Sequence, residues 1–245
     1  MPKKSKKKKT SLKKRKARIR IIKWTSLIIL LVTAILLFLL SNLFNIKQIN
    51  VINNSKITSE EIINLAGIHV NENMFKFLKF KSVQNIKTNP YIEDAKIHRK
   101  LNGTIEITVT ERVATYMLPL DEDQYAYINN QGYILEISSE KTELPILTGY
   151  TTENIVEAER LDVDDLKKIN IVIKIMNTAG ERKIAERITK IDCNNTQNII
   201  LMMENEGKII NFGNEKNIND KFVKLMAVLE DTNRTKRRNF FTKYK

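Results

Sequence analysis

Apolar side chains dominate one long stretch near the start of the chain. The run from Trp24 to Ile46 contains no charged residue and consists mainly of Leu, Ile, Val and Phe. At about 1.5 Å of rise per residue, a helix of this length crosses the roughly 30 Å hydrocarbon core of a bilayer. We therefore predict one membrane-spanning helix over residues 24–45, anchored at the two interfaces by Trp24 and Phe44.

A short strand and a helix are predicted just beyond this run. Ile49 and Val51 alternate with polar neighbours, which is the period of a strand buried on one face. Thr58 followed by Glu61 has the spacing of a capping box at a helix start. Gly67 suits the left-handed residue that ends a helix.

A second helix and a β-hairpin complete this module. The helix is expected over about residues 81–88, where a proline that follows prevents its continuation. Strands over residues 92–101 and 104–109 are joined by Asn102 and Gly103, a pair typical of tight hairpin turns. The order strand–helix–helix–strand–strand, within residues 46–115, predicts a three-stranded sheet covered by both helices on one face.

Residues 116–230 predict a second, β-rich domain. Its expected elements are strands over residues 125–128 and 133–135, a helix over 162–176, strands over 188–191, 198–203 and 208–212, and a helix over 218–229. The acids Asp162, Asp164 and Asp165 at the start of the first helix suit its dipole. The apolar residues of this helix at helical spacing are expected to face the sheet: Leu166, Ile169, Ile173 and Met176. The fold class is therefore α+β: a single transmembrane helix, the βααββ module and a mixed, β-rich second domain.

Basic residues crowd the segment before the apolar run. The first 23 residues hold 13 Lys and Arg side chains and no acid, which leaves 29 basic against 28 acidic residues in the rest of the chain. Basic residues beside a membrane span stay on the cytoplasmic side. The tail, residues 1–23, is therefore predicted to be cytoplasmic and the bulk of the chain extracytoplasmic. The residues expected to set this topology are Lys13, Lys14, Arg15, Lys16, Arg18, Arg20 and Lys23.

The basic and apolar segments have two other interpretations, a cleaved secretory signal and a nucleic-acid-binding segment. A cleaved secretory signal has an apolar stretch of about 7–15 residues and a small-residue cleavage site. The sequence SNLFNIK after this longer run offers no such site, which favours an uncleaved anchor. A lysine block can also bind nucleic acid, but beside a membrane span it more often sets topology and attracts anionic headgroups. We predict a membrane anchor and no nucleic-acid partner.

Few side chains in the sequence suit catalysis or metal binding. The chain has one cysteine, Cys193, and two histidines, His69 and His98. A zinc site would need carboxylates at no recognisable spacing, and the acidic clusters suit helix starts and turns better than acid–base work. A cysteine nucleophile needs a base beside it, so a structural thiol is the favoured interpretation. No enzymatic activity, metal site or cofactor is predicted.

The order of elements in residues 46–115 resembles the POTRA module, and the whole chain resembles the FtsQ/DivIB family of bacterial cell-division proteins. The resemblance is carried by the basic tail, the single span and two blocks, IKQINVINNSKITSEEIINLAGI and NPYIEDAKIHRKLNGTIEITVTER. In the second domain it is carried by a Leu-Pro-x-x-x-Gly element at residues 144–149 and by a glycine followed by a helix that contains Lys221.

This resemblance implies a bitopic scaffold that recruits or stabilises other divisome membrane proteins at the septum. The implied partners are FtsB/DivIC-like and FtsL-like proteins, and self-association is left open. The implied location is the bacterial cell membrane, with single-pass type II topology. The alternative function is a membrane-anchored enzyme or sensor of the cell envelope that uses a POTRA-like adaptor.

Two sets of residues are candidate sites. Glu111 and Arg112 leave the POTRA-like module and are predicted to form an inter-domain hinge. The family normally carries a further β element after the last helix, whose edge is implied to accept a strand from small bitopic partners. In this chain, the sequence of residues 231–245 predicts either a basic tail or a short terminal strand. The residues assigned to partner binding are Lys221, Phe240, Phe241 and Tyr244.

Overall fold

The computed structural model describes the backbone of residues 4–121 and 123–242, and the side chains of residues 18–121 and 123–230. It contains a long apolar helix, a three-stranded sheet and a seven-stranded sheet, each sheet accompanied by helices. This combination confirms the α+β class.

The chain divides into two units. The first unit runs to Thr110 and the second begins at Glu111, except that residues 87–93 belong to the second unit. The two units are described separately below.

The first unit begins with the helix predicted from the apolar run. This helix, α1, covers Lys4–Leu39. Its part Arg18–Leu39 is long and apolar enough to cross a membrane, with a mean hydropathy of 2.4. The helical backbone ends at Leu39, before the predicted end at residue 45, because polar residues from Ser41 onward break the apolar run. A short 3-10 helix, Asn42–Phe44, follows.

The rest of the first unit has the predicted order of elements. They are β1 (Gln48–Ile52), α2 (Ser59–Ala66), α3 (Lys79–Ile86), β2 (Ile92–Lys100) and β3 (Thr104–Glu111). The central strand is β3, with β1 parallel to it on one side and β2 on the other. Ile105, Ile107 and Val109 on β3 are at most 1 % exposed, so alternate residues of this strand form the core.

The boundaries of α2 follow from the residues that cap it. The side-chain oxygen of Thr58 accepts a hydrogen bond from the backbone N–H of Glu61 at 3.2 Å. Gly67 closes the helix with a left-handed backbone, at φ of 62°. Both observations confirm the predicted caps.

The second unit contains a mixed sheet and two long helices. Its elements are β4 (Tyr116–Pro119), β5 (Tyr125–Ile128), β6 (Ile134–Ser138), β7 (Ile146–Thr148), α4 (Val163–Glu181), β8 (Lys190–Asp192), β9 (Ile199–Met203), β10 (Lys208–Gly213) and α5 (Ile218–Thr242). The strand order is β10-β9-β8-β7-β4-β5-β6. Strand β4 was not predicted: it lies inside the sheet, between β7 and β5, and its first three residues are all buried, so it lacks the alternation of a half-exposed strand.

The core of the second unit lies between the sheet and α4. The predicted apolar line on α4, Leu166, Ile169, Ile173 and Met176, does pack against this core. The most deeply buried line is instead Asp165, Ile169, Val172, Ile175 and Ala179. The helix is therefore rotated slightly from the predicted orientation, which places one of its acids inside.

The last helix is longer than predicted. Helix α5 continues to Thr242, where the sequence had suggested a tail or a short strand after residue 230. No glycine or proline follows Gly213, so nothing in the local sequence stops the helix. The terminal-strand interpretation is wrong for Phe240 and Phe241, whose backbone is helical, and Tyr244 lies outside the described residues.

Candidate partner-docking edge

Strand β10 forms one edge of the seven-stranded sheet. It pairs antiparallel with β9 only, with Lys208 opposite Met203 and Ile210 opposite Leu201. In the described part of the chain no other strand pairs with its outer side. Every second N–H and C=O group of such an edge strand is available to another chain.

The opposite edge of the same sheet is covered. The N–H of Ile134 on β6 donates to the carbonyl oxygen of Glu159 at 2.9 Å, and the N–H of Ala158 donates back to the carbonyl oxygen of Ile134 at 2.9 Å. The N–H of Ile137 is bound by the Glu157 carboxylate, also at 2.9 Å. This segment blocks addition of a strand at β6, so β10 is the accessible edge of the two.

An apolar groove runs beside β10. Its volume is about 370 Å³, and α5 forms its second wall. Ile209 on the strand is 71 % exposed. The other residues lining the groove are Ile210, Asn211, Phe212, Lys221, Lys224, Leu225 and Val228. An extended segment bound at this edge would find backbone groups on the strand and apolar side chains next to them.

An ion-pair cluster holds the start of β10. Glu206 accepts hydrogen bonds from Nε of Arg187 at 2.6 Å, from Nη2 of Arg187 at 2.9 Å and from Nζ of Lys208 at 2.7 Å. The Arg187 hydrogen bond, followed by that of Lys208, lowers the pKa of Glu206 to about 2. The turn from β9 into β10 is therefore fixed by charged groups.

Lys221 holds the other end of β10. Its Nζ donates to the backbone oxygen of Asn214 at 2.7 Å and lies 5.2 Å from the centre of the Phe212 ring. Phe212 in turn packs against Phe222 of α5, with ring centres 5.0 Å apart. Lys221 thus has a role inside the unit, and its predicted contact with a partner stays a prediction. Because both ends of β10 are held, the edge is preorganised for binding.

Arg112, predicted as part of a hinge, makes hydrogen bonds and a ring contact within the second unit. Its Nη1 donates to the backbone oxygens of Pro90 at 2.9 Å and Ile92 at 2.7 Å. Its guanidinium lies 4.2 Å from the centre of the Tyr133 ring. These contacts hold the segment of residues 87–93 inside this unit, and the hinge role of Glu111 and Arg112 stays a prediction.

A buried polar cluster joins α4 to the loop after β7. Asp165 accepts hydrogen bonds from the backbone and side chain of both Thr151 and Thr152, between 2.6 and 3.1 Å. Lys168 donates to Asp165 at 3.0 Å and to the backbone oxygen of Gly149 at 2.7 Å. Burial alone would raise the pKa of Asp165, but the hydrogen bonds from Thr152, Thr151 and Lys168 outweigh it and lower the pKa to about 2.

The residues assigned to the membrane lie in or next to α1. Trp24 is 62 % exposed on α1, and Phe44 is half-buried in the short 3-10 helix that follows. Arg18, Arg20 and Lys23 are exposed on α1. The backbone of residues 13–16 belongs to the same helix, and their side chains lie outside the described residues.

Two side chains of the second unit that could act as nucleophiles, Cys193 and Tyr116, are buried. Burial raises the pKa of the Cys193 thiol to about 11, and its Sγ donates to the backbone oxygen of Thr148 at 3.1 Å. Burial likewise raises the pKa of Tyr116 to about 12. Among the described residues, no three carboxylate, imidazole or thiol groups are placed to hold a metal ion.

Comparison with protein families matches both units. Residues 44–112 match the POTRA domain of FtsQ type, and residues 119–245 match the FtsQ/DivIB C-terminal related family. The second match covers more than half of the chain.

Three similar proteins carry the names of cell-division proteins. Cell division protein DivIB of Clostridium tetani is 33% identical over 202 residues, which is 76% of this chain and 70% of that protein. Cell division protein FtsQ of Corynebacterium glutamicum is 25% identical over 191 residues, 77% of this chain and 80% of that protein. Cell division protein FtsQ of a Geobacter species is 22% identical over 193 residues, 78% of this chain and 69% of that protein. The chain therefore belongs to the FtsQ/DivIB family of cell-division proteins.

Proposed function

We propose that the chain is a bitopic scaffold of the division machinery. Its POTRA module and β-rich domain lie outside the cytoplasm, at the septum of the bacterial cell membrane, and recruit or stabilise other divisome membrane proteins. The proposed partners are FtsB/DivIC-like and FtsL-like proteins. The single observation that carries this proposal is the accessible β10 edge, held at both ends and lined by an apolar groove, in a chain of this family.

The proposed topology is supported by the sequence beside α1. An apolar stretch of spanning length is preceded by 13 basic residues and no acid. This charge asymmetry retains the N-terminus in the cytoplasm and sends the two following units across the membrane.

The proposed binding mode is strand addition at β10. A partner's extended segment would pair with the outer backbone groups of Lys208–Gly213 and place apolar side chains against Ile209. Backbone pairing gives affinity in this mode, while the apolar groove selects side chains of the partner.

The location is tested by imaging an N-terminal fluorescent fusion in dividing cells, with the tag kept in the cytoplasm. We expect a band at midcell that forms before constriction begins. An even membrane signal that does not change during division would contradict the septal role.

The binding mode is tested with Ile209→Glu in the full chain, co-expressed with an FtsB/DivIC-like and an FtsL-like protein. The introduced carboxylate would have to lose its bound water when a partner strand covers position 209. We therefore expect recovery of the partners to fall about ten-fold. The matched control is Val163→Glu, since Val163 is 68 % exposed in the first turn of α4, and that turn contacts the loop after β7 through Asp165 and Thr152. Equal recovery by both variants would exclude β10 as the docking edge.

A further inference from the structure

We propose that the first unit carries a membrane-docking surface at the end that joins α1. The surface consists of four exposed apolar side chains, Leu43, Leu78, Phe80 and Leu101, and of the lysines around them. It inserts into the outer interface of the same bilayer that α1 crosses, where anionic headgroups meet the lysines. This inference rests on the single-pass topology proposed above.

A buried side chain ties the loop before α3 to the end of α1. Asn73 is 5 % exposed, and its Nδ2 donates to the backbone oxygens of Leu39 and Ser41, both at 3.0 Å. Its Oδ1 accepts a hydrogen bond from the backbone N–H of Phe75 at 3.0 Å. The last carbonyl groups of a helix have no partner within the helix. Here Asn73 of the loop donates a hydrogen bond to such a carbonyl group, that of Leu39, which holds the loop next to the end of α1.

Aromatic contacts continue from α1 into the same loop. Phe38 on α1 packs edge-on against Phe44, and Phe44 packs in the same way against Phe75, with ring centres 5.3 Å apart in both pairs. Arg99 lies 4.4 Å from the centre of the Phe77 ring and donates to the Phe77 backbone oxygen at 2.7 Å. Together with Asn73, these contacts make the helix end and the loop one packed cluster.

The length of α1 places this cluster at the outer interface. The part of α1 from Trp24, the predicted inner anchor, to Leu39 contains 16 residues. Such a stretch rises about 24 Å, which is less than the roughly 30 Å hydrocarbon core. With Trp24 at the cytoplasmic interface, the residues just after Leu39 and the loop bound to them meet the outer edge of the core.

The β2–β3 hairpin turn reaches the same end of the unit. The N–H of Lys47, just before β1, donates to the backbone oxygen of Gly103 at 2.8 Å. This turn carries Leu101, which is 80 % exposed. Three separate segments thus present apolar side chains at the helix end: residues 42–44, 71–80 and 101–103.

Apolar exposure in the first unit is concentrated at this end. Leu43, Leu78, Phe80 and Leu101 are between 70 and 80 % exposed. Among the other large apolar residues described in this unit after α1, none is more than 48 % exposed. Ile52, at the far end of β1, is 38 % exposed. Such a concentration of exposed apolar side chains is typical of an interaction surface, for a membrane or for another protein, and the charges around it distinguish the two.

The charges around the apolar residues suit anionic lipid. Two exposed lysines, Lys76 and Lys79, lie in these segments, and two more, Lys47 and Lys81, lie within three residues of them. The acid in these segments is Glu72. Apolar and aromatic side chains flanked by lysines are the combination that binds at the headgroup boundary. The occupant of this surface is therefore the bilayer itself.

Depth-dependent fluorescence quenching of the full chain tests this proposal. Single cysteines are introduced on a Cys193→Ser background, labelled with an environment-sensitive fluorophore and placed in nanodiscs that contain nitroxide lipids. The docking positions are Leu78→Cys and Leu101→Cys. The matched control in the same unit is Ile52→Cys, and Ile35→Cys reports on the span itself.

We expect quenching at positions 78 and 101 to exceed that at position 52 about three-fold, and to increase when neutral lipid is replaced by phosphatidylglycerol. Quenching at 78 and 101 equal to that at 52, with position 35 strongly quenched, would overturn the docking surface and leave the topology intact. An unquenched position 35 would overturn the span and the docking together. A signal at 78 that requires two chains per disc would assign the surface to a second copy and also overturn the proposal.

Discussion

At the residue scale, two adjacent aspartates show how burial determines the contribution of a charged side chain to the stability of the fold. Asp164 has a side chain 78 % exposed and pairs with Lys167 at 2.8 Å. The side chain of Asp165 is only 2 % exposed, and it is surrounded by the donors of Thr151, Thr152 and Lys168. An exposed ion pair contributes little to stability, whereas a buried carboxylate with this many donors cannot lose its charge without leaving them unpaired.

We predict that Asp165→Asn destabilises the chain from residue 46 onward by about 3 kcal/mol, because Lys168 and the threonine donors lose their buried acceptor. The measurement is the free energy of unfolding in urea. Asp164→Asn serves as the control and should change that free energy by no more than about 0.5 kcal/mol. Similar effects of the two substitutions would contradict the structural role of Asp165.

The lowered pKa of Asp165 predicts a loss of stability in acid. A carboxylate whose pKa is lower in the folded state stabilises the fold above its unfolded pKa, about 3.9, and this contribution disappears as the pH falls through its folded value of about 2. The free energy of unfolding of the native sequence should therefore fall between about pH 4 and pH 2. Asp165→Asn should show a smaller fall. The remainder should come from Glu206, whose pKa is also about 2, and from Asp164, whose pKa is lowered by the hydrogen bond from Lys167. Identical pH profiles would exclude Asp165 as the source.

At the element scale, the two edges of the seven-stranded sheet differ in a way that local sequence does not reveal. β6 and β10 have similar lengths and both carry isoleucines. One is covered by a segment from a distant part of the unit and the other is accessible. Strand periodicity indicates which residues face the core, but the position of a strand in the sheet depends on pairings between remote segments.

The central position of β3 leads to a prediction for the first unit. Ile107 is fully buried in the middle of β3, which pairs on both sides. A proline there removes a backbone donor and the core side chain, so Ile107→Pro should abolish cooperative unfolding of this unit. Ile107→Val keeps the donor and should cost only about 1 kcal/mol. Thermal unfolding followed by circular dichroism distinguishes the two, and a normal transition for the proline variant would contradict the central strand.

At the scale of the whole molecule, the proposed topology depends on one asymmetry of charge, the basic residues before the apolar run. We predict that neutralising the seven basic residues nearest the span, from Lys13 to Lys23, to glutamine will lower the fraction of chains with the N-terminus inside. Protease protection of the exported part in intact cells measures that fraction. An unrelated basic tail in place of residues 1–23 is the control and should restore it. Unchanged orientation in the glutamine variant would show that the tail is not a topology signal.

The sequence by itself determined the features that depend on neighbouring residues. Basic residues next to an apolar run indicated the membrane span and its expected orientation. The boundaries of helices and strands were indicated by the caps Thr58 and Gly67 and by the Asn102–Gly103 turn. Those signals act within a few residues, so they are readable along the chain.

Only the tertiary structure decided which surfaces are accessible and which charges are buried. It showed β10 to be an accessible sheet edge, placed Asp165 rather than Asp164 in the core, and tied Asn73 to the end of α1 across 34 residues. It also extended α5 through residues 231–242, for which the family resemblance implied a further β element and the sequence suggested a tail or a short strand. Each of these outcomes depends on contacts between segments far apart in sequence, and residue periodicity contains no information about which remote segments will meet.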